Sequence, residues 1–230
     1  MAEPTWSADQ VGRVAAPLRE QVVTLVRDAI LGFRLKPGQR LVERELVEQL
    51  GISRPTVREV LRQLAVEGLV TVVPQRGAVV TALSRDDAAD LYEMRASLEA
   101  LAVRRFVQRA TPEHVAELRA AVDEIERTAR SAEPQDQLQA KDHFYDVLFR
   151  GCGSPPLQQT VAGLQARVRL LRATSLSEPG RPQEAAAELR AVVDAVEAGD
   201  AEAAATACAR HVDNAERTAL SRLRDPEETP

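Results

Sequence analysis

A helix, a tight turn and a second helix constrain the fold of this chain more than any other feature of its sequence. Apolar residues at helical spacing predict a short helix over 43–49, and Gly51 is suited to the turn that follows it. Ser53 is a favourable N-cap. Pro55 falls in the first turn of the next helix, where a missing N–H breaks no hydrogen bond. The pattern therefore predicts a second helix over about 54–67, joined to the first as in a helix-turn-helix.

The segments on either side complete a recognisable domain. Apolar residues recur at three- and four-residue spacing over 18–30, which predicts an amphipathic helix. Two β-branched runs, 69–73 and 78–81, flank Pro74-Gln75-Arg76-Gly77 and predict a hairpin with a glycine in its turn. Three helices and a hairpin within so short a stretch indicate a winged helix-turn-helix over 17–83.

The remainder of the chain is predicted to be helical. We expect a flexible leader over 1–16, an all-α antiparallel helical bundle over 84–224 and a polar tail over 225–230. The fold class is therefore mainly α, with a winged helix-turn-helix before a bundle. The caps and apolar periodicity of the second domain predict helices over about 85–108, 111–132, 136–150, 155–174, 184–198 and 200–223.

Composition and charge narrow the class of protein. A hydrophobic fraction of 44% with 28% charged residues is typical of a globular protein. No apolar run approaches the ~18 residues that a membrane span needs, so no membrane is expected among the partners. Cys152 and Cys208 are isolated thiols, which favours a reducing, cytoplasmic location. Residues 1–83 carry a net charge of +2 and residues 84–230 one of −7, which would orient the first domain towards phosphates.

The second helix of the helix-turn-helix carries a basic face. Arg54, Arg58 and Arg62 are four residues apart and therefore lie on one side of it. Arginine suits the reading of guanine in the major groove, because its fork matches the O6 and N7 acceptors. The opposite face is expected to pack in the core through Val57, Val60, Leu61 and Leu64.

Other residues of this domain are candidates for contacts with double-stranded DNA. The hydroxyls of Ser53 and Thr56, together with the amides of the helix N-terminus, are suited to phosphates. Arg76 and Gly77 lie at the hairpin tip, where glycine permits a close approach to the minor groove. The alternative is that the arginines form a solvated helix face paired with Glu43, Glu48 and Glu59.

Several segments carry a resemblance to a known family. They read LKPGQRL at 35–41, EREL at 43–46, LGISRPTVREVL at 50–61, LAVEGLV at 64–70 and QRGAVV at 75–80. In this order they resemble the DNA-binding domain of the GntR family of bacterial transcriptional regulators. The resemblance implies a homodimer on a pseudo-palindromic operator, usually a repressor. It also places Arg44 among the DNA-contacting residues.

The second domain resembles the FCD-type ligand-sensing bundle of the FadR subfamily. LYEMRASLE at 91–99, Phe144-Tyr145, Gly153-Ser154-Pro155 and AVEAGDAEAA at 195–204 carry this resemblance. It implies that a small-molecule effector bound in the bundle modulates DNA affinity.

Many FCD domains hold a divalent metal with one Asp and three His. Alignment on the segments above places Lys141, Tyr145 and Leu189 at three of these positions and leaves only His211 as a ligand. An ammonium and an alkyl side chain cannot ligate a metal, so we expect no metal or other cofactor.

Helical spacing indicates that the same positions point inward. Lys141 and Tyr145 share a face with Leu148, and Leu189 and His211 also lie on apolar faces. A buried lysine is costly unless it is paired or binds an anion. Our hypothesis is that Lys141 replaces the charge of the metal and binds an organic acid directly. Tyr145 and His211 would contribute hydrogen bonds, with Arg95 as a second cation.

Alternatives to this hypothesis stay open. Lys141 can reach the surface or pair with Asp142 or Glu99, Tyr145 can be a core residue, and His211 can be a satisfied remnant. A shift of one residue in the alignment would place Asp142 or His143 at the site instead. The effector can also be nonpolar or acyl, or absent.

An enzyme is the rival class of function. The sequence contains no Gly-rich phosphate loop, no nucleophile elbow and no His-Glu zinc motif. A sequence-blind DNA binder is expected to be much more basic than this chain. We therefore predict a DNA-binding regulator rather than an enzyme.

Overall fold

The computed structural model describes residues 15–131 and 133–223, and tertiary contacts divide the chain into two units. The first unit ends at Val80 and the second begins at Thr81. The predicted leader, apart from its last two residues, and the predicted tail lie outside the described residues. No helix in the described ranges has the length and hydropathy that a bilayer crossing requires.

The first unit is a winged helix-turn-helix, as predicted. Residue Gly51, with φ of 65°, makes the turn between the second and third helices, and the Ser53 hydroxyl caps the third by accepting from the Thr56 N–H. The third helix packs against the first two and the first strand, with Leu64 fully buried. The elements are α1 (Ala15–Leu31), α2 (Glu43–Leu50), α3 (Arg54–Val66), β1 (Val70–Val73) and β2 (Gly77–Val80).

The wing is an antiparallel hairpin in which Val70 pairs with Val80 and Val73 with Gly77. Gln75 and Gly77 both adopt positive φ values, of 64° and 81°, so the turn is built on two left-handed residues. A bridge between Arg40 and Val79, which the sequence did not indicate, extends the wing on one edge.

Over its described residues, the second unit is a bundle of six helices, as predicted. The helices are α4 (Arg85–Arg109), α5 (Pro112–Ser131), α6 (Pro134–Gly151), α7 (Pro155–Leu176), α8 (Arg181–Glu197) and α9 (Ala201–Arg222). Helix α4 packs along α9, α8 lies against both α5 and α9, and α6 contacts α5 and α7. The largest buried side chains of this core include Phe106, Leu118, Phe144, Leu148 and Leu189.

The start of α8 differs from the sequence-based expectation. The helix begins at Arg181, whereas the periodicity indicated about residue 184. Gly180 precedes the helix in a left-handed conformation, with φ of 84°. A proline follows in the first turn, where the N–H that it lacks would have no partner within the helix. The three additional residues bring Arg181 into the bundle, where it is 2% exposed.

Candidate functional site

The third helix presents the predicted basic face. Arg54, Arg58 and Arg62 are all exposed, while the opposite residues of α3 are buried. The predicted division of the helix into a core face and an exposed face is confirmed. The buried residues are Val57, Val60, Leu61 and Leu64.

Glu43, at the start of α2, binds two of these arginines. The Arg54 Nε lies 3.2 Å from a Glu43 carboxylate oxygen, and the Arg58 Nε lies 3.1 Å from it. The pairing predicted by the alternative interpretation therefore exists at Glu43. Each pair is mostly exposed and stabilises the unit by only ~0.2–1 kcal/mol, so a phosphate can displace it.

The other candidate DNA contacts lie around this helix and the wing. Ser53 and Thr56 form a local pair at the N-terminus of α3, with 2.8 Å between their hydroxyl oxygens. Arg44 on α2 and Arg76 beside Gly77 at the wing tip are exposed. Among the described residues of this unit, Arg44, Arg62 and Arg76 have no side-chain ion pair. They are thus available to an external anion.

The interior of the bundle contains the second group of candidates. Lys141, Tyr145 and His211 are 3%, 3% and 0% exposed, so the predicted inward direction of all three is confirmed. The Lys141 Nζ lies 3.5 Å from the His211 Nε2, and the His211 Nδ1 lies 2.5 Å from a Glu188 oxygen. Burial, reinforced by the charge of Lys141, lowers the pKa of His211 to about 3. The imidazole is therefore neutral near pH 7.

The two carboxylates that were alternative partners for Lys141 form ion pairs with arginines instead. The Arg95 Nε donates to Glu99 at 2.9 Å, and both side chains are buried. Arg172 donates to Asp142 at 3.1 Å and lies 3.9 Å from Glu99. The predicted pairing of Lys141 with Asp142 or Glu99 is therefore wrong, because buried arginines occupy both acids.

A second buried pair lies beside His211. Arg181 donates two hydrogen bonds to Glu188, at 2.9 and 2.7 Å, and Asn214 donates a third at 2.6 Å. Although partial burial opposes it, hydrogen bonding from His211, Arg181 and Asn214 lowers the pKa of Glu188 to about 2. The carboxylate thus binds three other groups, and its charge offsets the arginines around Lys141 only in part.

The described part of this interior carries more positive than negative charge. Arg95, Arg172, Arg181 and Lys141 are buried, against three carboxylates that the arginines bind: Glu99, Asp142 and Glu188. Burial and the three arginines hold the pKa of Lys141 well below its ordinary value. Several buried polar atoms have no hydrogen-bond partner: Arg95 Nη1, Arg172 Nε, Arg181 Nε, Tyr145 Oη and Glu99 Oε2. Four of these five atoms are donors, which is the pattern of an anion site.

The metal set implied by the resemblance does not fit these residues. In the described ranges, no group of three or more His, Cys, Asp or Glu side chains is placed to hold a metal ion. Leu189 is fully buried in the apolar core, and Lys141 faces the only imidazole of the expected set. The donor chemistry here suits an anion and not a cation.

Sequence reasoning did not find Arg172, Arg181 or Glu188. Arg172 is recognisable in retrospect, because it occurs with Arg169 inside an apolar run, VRLLR at 168–172. Glu188 precedes Leu189 and carried no signal beyond that of a surface glutamate.

The two sites together define a helix-turn-helix transcriptional regulator with a separate sensing unit. Residues 18–80 match the gntR family of bacterial regulatory proteins, and residues 90–214 match the FCD domain. The second match spans more than half of the chain, so the protein belongs to the GntR family with a C-terminal FCD domain.

Individual relatives agree with this assignment. An HTH-type transcriptional regulator from an unstable DNA locus of Streptomyces ambofaciens is 32% identical over 84% of this chain and 81% of its own length. The transcriptional repressor RspR of Escherichia coli is 24% identical over 85% of this chain and 86% of its own. A GntR regulator structure from Rhodococcus sp. RHA1 has the same fold, with a TM-score of 0.75 and 24% identity over 90% and 99% of the two chains. These relatives are regulators and not enzymes.

Proposed function

We propose that this protein is a dimeric, sequence-specific repressor, acting in the cytoplasm, whose operator affinity is set by an organic acid bound directly by buried cations. One observation carries the effector assignment. The described interior of the bundle holds Lys141 together with Arg95, Arg172 and Arg181, each of these arginines has an unpartnered N–H group, and the carboxylates are too few to neutralise the four cations. A buried cation is costly unless an anion compensates it.

The DNA side of the proposal rests on α3 and the wing. Arg54 and Arg58 lie in the first half of α3, which enters the major groove in this class of domain, and Arg62 follows one turn later. Arg76 and Gly77 contact the adjacent minor groove. The backbone phosphates are bound by Arg44, Ser53 and Thr56.

A binding titration tests the DNA assignment. Fluorescence anisotropy with a labelled fragment of the gene's own promoter, at several salt concentrations, is expected to show specific, salt-dependent binding. Arg58→Ala should weaken operator binding by roughly 5- to 150-fold, because a base-contacting arginine supplies about 1–3 kcal/mol. The exposed Arg130 of the bundle offers a matched control, and Arg130→Ala should leave the affinity unchanged. Equal affinity of the parent for operator and scrambled DNA would exclude sequence-specific reading.

Dimerisation and repression complete the DNA side. A two-fold dimer reads two half-sites with twice the contacts, which matches a pseudo-palindromic operator. The similarity to the E. coli repressor supports repression. Light scattering of the purified protein should give twice the chain mass, and nuclease footprinting should show two protected half-sites. A monomer that protects a single half-site would contradict this part of the proposal.

The effector is held by charge and by donors. Arg95 supplies positive charge, and Lys141 adds to it once the bound acid stabilises the protonated amine. Tyr145 donates through its hydroxyl because burial raises its pKa well above the ordinary value. The neutral His211 orients the Lys141 amine through the 3.5 Å contact. The acid lowers operator affinity only to the extent that it binds the DNA-incompetent state more tightly.

A thermal-shift series tests the effector. Carboxylic acids should raise the melting temperature of the full chain, while the corresponding neutral amides should not. Lys141→Met should abolish the response to acids, with Lys36→Met as the control, since Lys36 is the other lysine of the chain and is exposed. Equal stabilisation by acids and amides would favour the alternative of a nonpolar effector.

A further inference from the structure

A cleft opens between α6 and α7, beside the buried charges. Its volume is about 360 Å³. Phe149, Val161 and Val168 form apolar parts of its wall, and Asp146, Arg150 and Gln158 form polar parts. For comparison, an apolar cavity of about 150 Å³ is sufficient for benzene. The cleft therefore has room for one ring with a short linker.

The cleft and the charged interior share two residues. Tyr145 and Arg172 line the cleft, are buried, and carry the unpartnered Oη and Nε atoms described above. The Arg172 guanidinium carbon lies 3.7 Å from the centre of the Tyr145 ring. The stacked side chains of Arg172 and Tyr145 thus separate the cleft from the charged interior, and each has one atom without a hydrogen-bond partner.

We infer that the effector is a monocarboxylate bearing one aryl or branched alkyl group. Its carboxylate accepts from Arg172 and Tyr145 at the edge of the charged interior, where the charges of Lys141 and Arg95 also act on it. Its apolar group fills the cleft against Phe149, Val161 and Val168. This inference rests on the proposed organic-acid effector and specifies its class.

The cleft also disfavours acids with several charges. A second carboxylate would cover the apolar side chains less well than an aryl or alkyl group, and Arg150, the exposed cation of the lining, is already paired with Glu117. The second carboxylate would also approach Asp146, whose own pKa is raised by burial and by the nearby Asp142. A like charge there disfavours a dianion, so small polyacids are poor ligands of this site.

Isothermal titration of the full chain tests the inference with four probes: 3-phenylpropionate, its neutral amide, propionate and succinate. Burial of the phenyl group should make 3-phenylpropionate bind ~10- to 100-fold more tightly than propionate. The amide and succinate should bind more weakly than 3-phenylpropionate by at least the same factor.

A substitution at the cleft mouth separates the apolar group from the charge. Ala162 lines the cleft and is exposed, so Ala162→Trp should fill the cleft without disturbing the core. It should remove the preference for 3-phenylpropionate while propionate binding stays the same. Ala116→Trp, at an exposed alanine of α5, is the matched control and should retain the preference.

The outcomes distinguish this inference from the proposal beneath it. If propionate and 3-phenylpropionate bind equally, or if Ala162→Trp retains the preference, the cleft is not the site of the apolar group and the anion site alone survives. If no carboxylate binds the parent protein, both the anion site and the inference are overturned.

Discussion

Replacement of Lys141 by methionine should stabilise the protein while removing its response to acids. Lys141 is 3% exposed, its Nζ lies 3.5 Å from a neutral imidazole, and the nearby carboxylates are occupied by arginines. The folded state therefore favours an uncharged amine, as the lowered pKa indicates. Methionine has a similar length and flexibility and carries no charge, so it can fill the same space.

The size of the effect follows from the cost of burying an ionisable group without a compensating charge, which is several kcal/mol. The lost contact with His211 offsets ~1 kcal/mol of this. We expect Lys141→Met to raise the free energy of unfolding by ~1–4 kcal/mol, and the melting temperature by ~2–4 °C for each kcal/mol.

The pH dependence has a definite sign. Because the folded-state pKa of Lys141 is lowered, the unfolded state binds more protons between that pKa and 10.5. The stability of the parent therefore rises with pH over this window. The advantage of Lys141→Met should be largest at the low end of the window and shrink as the pH approaches 10.5.

Urea unfolding at pH 7 and pH 9 measures these differences. Lys36→Met is the control and should stay within ~0.5 kcal/mol of the parent, because Lys36 is exposed. If Lys141→Met is no more stable than the parent at pH 7, the folded protein already compensates the ammonium, and the argument for an uncompensated cation is wrong.

Three further perturbations follow from the structure. Glu188→Gln should cost ~2–3 kcal/mol at pH 7, because the carboxylate has a pKa of about 2 against 4.5 when unfolded. That contribution is present above pH 4.5 and lost as the pH falls through 2, so urea titrations should show the difference narrowing in acid; a constant difference would contradict the assignment. Glu43→Gln should free both α3 arginines and tighten binding to random DNA a few-fold in an anisotropy assay, whereas unchanged affinity would mean that the pairs do not compete with phosphate. Gly151→Ala should destabilise the bundle by ~1–3 kcal/mol in calorimetry, since a Cβ would lie 2.3 Å from Phe106 Cε2, while Gly163→Ala, which meets no atom within 4 Å, should be neutral or stabilising.

Local signals in the sequence were sufficient for the helix-turn-helix. Gly51 and Ser53 act on their immediate neighbours, as the left-handed turn and the cap show, so their roles do not depend on distant parts of the chain. The inward direction of Lys141, Tyr145 and His211 was also predictable, because apolar neighbours one turn away define the buried face of each helix.

The partners of the buried charges were not predictable in the same way. Arg172 contacts Glu99 and Asp142, which lie on other helices and precede it by 73 and 30 residues in sequence. No local sequence pattern links residues so far apart. An arginine on a helix is usually a surface residue. Only the packing of the bundle shows that Arg172 and Arg181 are buried, and with them that the interior has too many cations.

The double pairing of Glu43 with Arg54 and Arg58 bears on how such a regulator searches a genome. A bacterial chromosome presents millions of incorrect sites, and a protein with two freely available arginines spends much of its time on them. At a random site, few contacts form, and the carboxylate of α2 remains a competitive partner for both guanidinium groups. At the correct sequence, the base and phosphate contacts proposed for α3 would outweigh it. On the proposed binding mode, the carboxylate would shorten the time spent at each incorrect site and leave more of the protein free to reach its operator.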